Sequence, residues 1–180
     1  MGTLDGRLAL VTGASRGIGE HCARSLAAQG ARVAVAARSE SDLARVAGDL
    51  PNDPVVLTSD LAEPGAGAEL AAAAVEALGG VDILVNNAGV SEIKGQDQMV
   101  MRLNYHAPLE TTKALVRQMS ERGNGSVIHM SSVAGATGVA ELPTYGATKA
   151  ALDSLTRSQA AQYGKHGVRV NAVAPGLIIT

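Results

Sequence analysis

Short apolar runs alternate along the chain with stretches in which apolar residues recur every three or four positions. The first pattern predicts buried parallel strands, and the second predicts helices that pack on them through one apolar face. Strands are predicted at residues 7–11, 31–36, 54–58, 81–85, 125–131 and 167–173. Helices are predicted at residues 17–29, 40–49, 66–78, 97–121 and 144–163. Strict alternation of the two is typical of an α/β fold.

The predicted elements form a single domain, residues 1–180, because no linker or shift in composition divides the chain. Right-handed crossovers between six parallel strands give a doubly wound sheet with the order 3-2-1-4-5-6. Helices on both faces complete three layers. In such a sheet, ligands bind at the carboxyl edge, where the winding reverses.

A glycine-rich segment, Thr12–Gly19 with the sequence TGASRGIG, connects the first predicted strand to the first predicted helix. Gly13 permits the tight turn, Gly17 lets a pyrophosphate approach the backbone, and Gly19 lets the helix pack closely on the strand. The free N–H groups and the positive dipole end of this helix attract an anion. The glycine spacing is one residue longer than the commonest dinucleotide fingerprint. The segment therefore predicts a dinucleotide site in a Rossmann-type sheet.

A serine, a tyrosine and a lysine follow at Ser132, Tyr145 and Lys149. Tyr145 and Lys149 are four residues apart and therefore share one face of a helix. An ordinary tyrosine has a pKa near 10, and a lysine charge about 4 Å away supplies roughly the 4 kcal/mol that acidity near pH 7 requires. By itself, such a pair is usually a solvated helix face. It gains significance from the dinucleotide loop in the same chain.

These motifs resemble those of the short-chain dehydrogenase/reductase family, of the single-domain type. Four landmarks occur in the family's order: TGASRGIG at 12–19, NNAG at 86–89, Ser132 with Tyr145-x-x-x-Lys149, and Pro175-Gly176. The resemblance covers nearly the whole chain and is nearest to ketoreductases of the 3-oxoacyl and polyketide kind. It implies an oxidoreductase that transfers hydride from NADPH to a ketone.

The resemblance implies four catalytic residues: Asn104, Ser132, Tyr145 and Lys149. Ser132 offers its hydroxyl to the substrate's carbonyl oxygen, and Tyr145 acts as the general acid. Lys149 also binds the nicotinamide ribose, and Asn104 holds a water in a proton relay. Ser131 is the competitor for the role of Ser132. The family's interval of thirteen residues between serine and tyrosine favours Ser132.

Two arginines favour NADP(H) as the cofactor. Arg38 follows the second predicted strand, where NAD-selective sites usually carry a carboxylate, and its guanidinium can hold a 2′-phosphate. Arg16 is near enough to add a second contact. The alternative is that both arginines are solvated surface charges. Together with the glycine loop and these arginines, the resemblance implies the following cofactor-binding residues: Gly13, Ser15, Arg16, Gly17, Ile18, Gly19, Arg38, Asp60, Leu61, Asn87, Ala88, Gly89, Tyr145, Lys149, Pro175, Gly176, Ile178 and Thr180.

Composition favours a cytoplasmic protein, and the resemblance implies a small carbonyl or alcohol substrate. A net charge of -2 and a pI of about 6.1 give no reason to expect nucleic acid or an anionic membrane as partner. Asp5 and Arg7 lie where a signal peptide needs an apolar stretch, and no apolar run is long enough for a membrane span. The single cysteine, Cys22, fits a reducing compartment. The histidines show no ligand spacing, so no metal is expected.

Two departures from the family pattern affect the expected pocket. Only fourteen residues, 90–103, separate Gly89 from Asn104, where relatives usually have a longer segment. The sequence also ends at Thr180, where relatives continue into elements that cover the substrate. We expect either that the sequence is part of a longer chain, or that the protein is short and its active site is open or completed by a partner subunit. An exposed sixth strand predicts a homo-oligomer, either a dimer or a tetramer.

Three functions are compatible with these residues. The favoured one is an NADPH-dependent reductase of a ketone or 3-oxoacyl compound. The second is a cofactor-binding or non-redox relative with an open pocket, and the third is an oxidative alcohol dehydrogenase. All four catalytic positions are filled, which favours an active enzyme.

Overall fold

Six parallel strands form one sheet in the computed structural model, which describes residues 2–178. The strands are β1 (Leu8–Thr12), β2 (Arg32–Ala37), β3 (Val55–Thr58), β4 (Ile83–Asn86), β5 (Gly125–Met130) and β6 (Val168–Val173). The α-helices are α1 (Gly17–Ala28), α2 (Glu40–Gly48), α3 (Ala66–Leu78), α4 (Asp97–Met101), α5 (Ala107–Glu121) and α6 (Pro143–Tyr163). A π-helical turn, Arg102–His106, joins α4 to α5. Short 3-10 turns cover Val133–Gly135 and Gly164–His166.

The strand order is 3-2-1-4-5-6, which confirms the predicted doubly wound sheet. The central strand β1 pairs with β2 on one side and with β4 on the other, so that Val11 lies between Val35 and Val85. The winding reverses between these two neighbours. The loops that follow β1 and β4 therefore diverge and leave a crevice at the carboxyl edge of the sheet.

The middle of the sheet is buried on both faces, which is why its strands read as continuous apolar runs. Leu10 of β1 packs on the side of α3 and α5, whereas Ala9 and Val11 pack on the side of α1 and α2. At the edge, β6 buries Val168 and Val170 and exposes Arg169 and Asn171. Within residues 2–178, no helix combines the length and the apolar character that a membrane span needs.

Helix 97–121 was predicted as one continuous element, and the structure corrects this prediction. The amide of Ala107 donates to the carbonyl of Arg102, five residues earlier, so the chain makes a wider π-helical turn here. Pro108 follows, and it has no N–H to donate to the carbonyl of Asn104, four residues earlier. That carbonyl is therefore without its usual α-helical partner. All other predicted element ends lie within two residues of the observed ones.

Candidate functional site

The glycine loop turns sharply between β1 and α1. Gly13 has a φ of 65° and Gly17 a φ of 58°, and both values lie in the left-handed region that favours glycine. A Cβ atom on Gly19 would lie 2.2 Å from the carbonyl oxygen of Gly13. Only a residue without a side chain lets α1 begin this close to the loop. The three glycines of the motif are thus explained by backbone geometry.

The first turn of α1 has no side-chain cap. Arg16 occupies the N-cap position in an extended conformation and makes no capping hydrogen bond. The N–H groups at the start of a helix lack intrahelical partners, and the helix dipole makes this end positive. The start of α1 is therefore available to an anionic ligand.

Asn87 fastens the glycine loop to the end of β4. Its Nδ2 donates to the carbonyls of Thr12 at 2.9 Å and Gly13 at 3.1 Å. The Oγ1 of Thr12 accepts the main-chain N–H groups of Asn87 and Ala88, both at 3.0 Å. Sequence reasoning missed this role of Thr12. The available signal was its position at the end of a buried strand, directly before the glycine turn.

A cleft of about 930 Å³ lies over the glycine loop. Its volume is within the range of small-molecule and cofactor sites. Most of the predicted cofactor-binding residues line it: Gly13, Ser15, Arg16, Gly17, Ile18, Arg38, Asp60, Leu61, Asn87, Ala88, Gly89 and Ile178. Gly19 does not line the cleft because it is packed beneath the loop. Thr180, which was also predicted, lies outside the described residues.

Exposed guanidinium groups border the cleft at Arg16 and Arg38. In the described part of the chain, neither arginine forms a salt bridge with a carboxylate. Ser39 and Asp42 also line the cleft, and the hydroxyl of Ser39 caps α2 by accepting the N–H of Asp42 at 3.3 Å. Sequence reasoning did not point to these two residues.

The predicted pair Asp60 and Leu61 follows β3 at the cleft. The Oδ1 of Asp60 accepts the N–H of Ala62 at 3.0 Å, so this carboxylate orders its own turn. Leu61 is buried, with 7% of its surface exposed. The pair therefore combines a structural role with a position on the cleft wall.

A second cavity, of about 330 Å³, adjoins the cleft. The two share Ile18, Asn87, Gly89, Val90 and Ile178. The predicted residues Ser132, Tyr145, Lys149, Pro175 and Gly176 line the second cavity. The structure thus brings three of the four predicted catalytic side chains together beside the cleft.

The adjacent serines of this cavity make different contacts. The Oγ of Ser132 accepts the N–H of Ala134 at 3.2 Å, and the side chain stays partly exposed. The Oγ of Ser131 is buried and donates to the carbonyl of Lys149 at 3.4 Å. Ser132 therefore keeps its hydroxyl proton for another acceptor, whereas Ser131 donates its own to α6. This difference favours Ser132, in agreement with the sequence interval.

Lys149 lies one helical turn after Tyr145 and is almost fully buried. Its Nζ donates to the carbonyl of Met130 at 2.7 Å and lies 5.5 Å from the centroid of the Tyr145 ring. Burial lowers the pKa of Lys149 to about 8, and the charge of Asp153 acts in the opposite direction. A lysine with this pKa is largely protonated at neutral pH. A positive charge is thus present beside the tyrosine ring.

Asn104 is buried behind the second cavity and lines neither cavity. Its Oδ1 accepts the N–H of Val90 at 2.9 Å, and its Nδ2 donates to the carbonyl of Val90 at 2.9 Å and to Thr148 at 3.2 Å. Both amide hydrogens are therefore used inside the protein. A Cβ atom on Gly89 would lie 3.1 Å from this Oδ1, so the glycine leaves room for the asparagine.

A buried polar network lies beneath the site. Asn86 contacts Thr112 at 3.0 Å and the Nδ1 of His129 at 3.2 Å, and the Nε2 of His129 contacts Gln159 at 2.9 Å. Burial lowers the pKa of His129. Each partner of this histidine is a neutral side chain, which fits a structural role for it. Within residues 2–178, no group of three or more His, Cys, Asp or Glu side chains could hold a metal ion.

Two charged residues that no motif revealed contact the site. Arg45 donates to the carbonyl of Ser15 at 3.0 Å and pairs with Glu20 at 2.9 Å. Hydrogen bonding to this guanidinium is the main cause that lowers the pKa of Glu20 to about 2. Glu92 accepts the main-chain N–H of Tyr145 at 2.8 Å. Each contact joins segments that are distant in sequence, so only the fold could reveal it.

Comparison with known proteins identifies a family whose members are similar to this chain. The family model described as short chain dehydrogenase matches residues 7–180. The 3-oxoacyl-acyl-carrier-protein reductase FabG of Vibrio cholerae is 37% identical over 188 residues, covering 98% of this chain and 75% of that protein.

Two solved structures are similar to this chain over nearly its whole length. A protein of Sinorhizobium meliloti 1021, described as a short-chain alcohol dehydrogenase, superposes with a TM-score of 0.94 at 37% identity, covering 98% of this chain and 74% of that one. A metagenomic short-chain oxidoreductase in complex with NADP superposes with a TM-score of 0.90 at 35% identity, covering 97% of this chain and 84% of that one.

Proposed function

The chain belongs to the short-chain dehydrogenase/reductase family, and from this premise we propose that it uses NADPH to reduce a ketone, either a 3-oxoacyl-like compound or another small carbonyl compound. The observation that carries the proposal is the junction of the two cavities. The cleft over the glycine loop shares lining residues with the cavity that holds Ser132, Tyr145 and Lys149. A cofactor in the first and a carbonyl compound in the second would be neighbours.

The residues of the cleft fit a dinucleotide phosphate. The uncapped start of α1 and the left-handed Gly13 and Gly17 offer main-chain N–H groups to a pyrophosphate. Arg38 and Arg16 border the cleft and would hold the 2′-phosphate of NADP. The bound cofactor supplies the hydride that reduces the carbonyl carbon.

The side chains of the second cavity would handle the carbonyl oxygen. The hydroxyl of Ser132 donates a hydrogen bond to this oxygen as negative charge develops on it. The phenol of Tyr145 donates the proton that completes the alcohol. The ammonium group of Lys149, which lies 5.5 Å from the centroid of this ring, would stabilise the negative charge that remains after the proton has been transferred.

Asn104 would assist the proton transfer through its main-chain carbonyl. Its amide hydrogens are used by Val90 and Thr148, and Pro108 leaves its carbonyl without the usual helical partner. We assign this carbonyl the task of holding the water that returns a proton towards Lys149.

The second candidate function is cofactor binding without redox activity. The observation that favours it is the short segment 90–103, which borders the second cavity through Val90 and Ser91. A short segment covers a reacting carbonyl less completely and therefore excludes water less effectively.

Cofactor oxidation with a panel of ketones tests these candidates. The panel includes a 3-oxoacyl thioester, and the same protein is assayed with NADP⁺ and the corresponding alcohols. Consumption of NADPH with a ketone supports the proposed reductase. NADPH binding in calorimetry without turnover of any compound supports the second candidate. Turnover confined to alcohols with NADP⁺ at neutral pH supports an oxidative dehydrogenase, and absence of cofactor binding contradicts all three.

We also propose a cytoplasmic homo-oligomer, a dimer or a tetramer. The outer edge of β6 is free among the described residues, and Val173 on this strand has 50% of its surface exposed. A free strand edge is a surface for pairing, either with a further strand of a longer chain or with a second copy. The single cysteine, Cys22, fits a reducing compartment. Light scattering coupled to size-exclusion chromatography measures the assembly, and a monomer at micromolar concentration would contradict it.

A further inference from the structure

Helix α6, which carries Tyr145 and Lys149, begins without a cap of its own. The N-cap position is Leu142, whose side chain cannot accept a hydrogen bond, and Pro143 follows it. The first intrahelical bond runs from the N–H of Gly146 to the carbonyl of Leu142 at 2.8 Å. The N–H of Tyr145 therefore precedes the regular helical bonds and needs a partner from elsewhere.

Glu92 provides this partner. Its Oε2 accepts the N–H of Tyr145 at 2.8 Å, while Asp97 accepts a hydrogen bond from the hydroxyl of Thr144 at 3.0 Å. A carboxylate at the positive end of a helix forms a charge-assisted bond that is stronger than a neutral one. Both acidic residues belong to the short segment 90–103. This segment is thus tied to the first turn of α6 at two neighbouring positions.

We propose that Glu92 is a positioning residue for Tyr145, an inference that rests on the proposed reductase function. Tyr145 lies in the first turn of α6, where helices fray, whereas Lys149 lies one turn further in. Lys149 is buried and separately held by the carbonyl of Met130. Glu92 therefore fixes the backbone of the tyrosine without being needed by the lysine or by the cofactor cleft.

Three variants separate the contact from a general effect of charge. Glu92→Ala removes the acceptor, and Glu92→Gln keeps an acceptor oxygen of similar reach without the charge. Glu141→Ala is the matched control, because Glu141 is an exposed carboxylate directly before the N-cap residue of the same helix. In the described part of the chain, it forms no salt bridge. The readouts are kcat, KM for NADPH and the exchange rate of the Tyr145 amide hydrogen.

Glu92→Ala is expected to lower kcat about tenfold or more and to leave KM for NADPH within about twofold, because a displaced phenol affects the reacting carbonyl alone. The Tyr145 amide is expected to exchange about tenfold faster in the same variant. Glu92→Gln restores both quantities to within about threefold of the wild type, and Glu141→Ala changes neither.

Several results would overturn the inference: an unchanged kcat in Glu92→Ala, an equal loss in Glu92→Gln, or an equal loss in Glu141→Ala. Failure of the proposed function has a different signature, because the wild type would then turn over no substrate. In that case, the exchange rate of the Tyr145 amide hydrogen alone tests the positioning role of Glu92. Faster exchange in Glu92→Ala that glutamine reverses supports the positioning role, and unchanged exchange refutes it.

Discussion

The ammonium nitrogen of Lys149 lies 5.5 Å from the centre of the Tyr145 ring, inside a part of the protein where the lysine has only 4% of its surface exposed. Water screens little of the charge at such a position. The same burial makes the charged lysine less stable in the folded protein than in the unfolded chain. Its pKa of about 8, against the ordinary 10.5, expresses this cost.

The buried lysine predicts a specific dependence of stability on pH. As the pH rises through about 8, folded Lys149 loses its proton, while the unfolded chain keeps it until about 10.5. The unfolded state then binds more protons, so the wild type gains stability with rising pH. A methionine at this position does not titrate. Relative to Lys149→Met, the free energy of unfolding of the wild type should therefore rise by about 2 kcal/mol between about pH 7 and pH 10. Urea unfolding at both pH values measures this, and a constant difference would contradict it.

Tyr145→Phe removes the proposed general acid and little else. We expect kcat to fall about 10²- to 10⁴-fold, with the affinity for NADPH changed by less than about threefold. Tyr163→Phe makes the same change at the other end of α6 and should leave kcat unaltered. Steady-state kinetics and calorimetry with both variants check this. Comparable losses in the two variants would mean that the helix, rather than the hydroxyl, had been affected.

Arg38→Ala should discriminate between the two nicotinamide cofactors. Charge-assisted hydrogen bonds to a phosphate contribute about 1.5–3 kcal/mol, so the affinity for NADPH should fall about 10- to 100-fold. The affinity for NADH should change less than about threefold. Arg117→Ala removes an exposed arginine that pairs with Glu121 on α5, and it should affect neither cofactor. Equal weakening of NADPH and NADH by Arg38→Ala would refute the phosphate assignment.

Gly19→Ala tests the close approach of α1 to the glycine loop. The added Cβ would lie 2.2 Å from the carbonyl oxygen of Gly13, so the loop must shift. We expect a loss of about 1–3 kcal/mol in the free energy of unfolding and weaker NADPH binding. At Gly48 in α2, an added Cβ meets no atom within 4 Å, so Gly48→Ala should be neutral or stabilise by up to about 1 kcal/mol. Thermal unfolding of both variants distinguishes steric conflict from a general effect of alanine.

Much of the fold could be predicted because its central strands are apolar on both faces and its crossovers have one hand. The glycine loop was equally predictable from the sequence, since Gly13 and Gly17 occupy the left-handed conformations that the motif requires. The π-helical turn was not predictable from periodicity, because it combines Pro108 with the hydrogen bonds of Asn104 to Val90. Contacts such as that of Glu92 with Tyr145 join residues 53 positions apart and leave no local pattern.

Asn86, at the end of β4, and Asn87, directly after it, hydrogen-bond to two distant parts of the fold. Asn87 grips the turn that follows β1, while Asn86 reaches the histidine network that ends on Gln159 of α6. The Asn86-Asn87 dipeptide therefore connects the glycine loop to α6, the helix that carries Tyr145 and Lys149, through the central layer of the fold. We therefore expect substitutions in surface loops outside this network to leave the relative placement of the glycine loop and α6 unchanged.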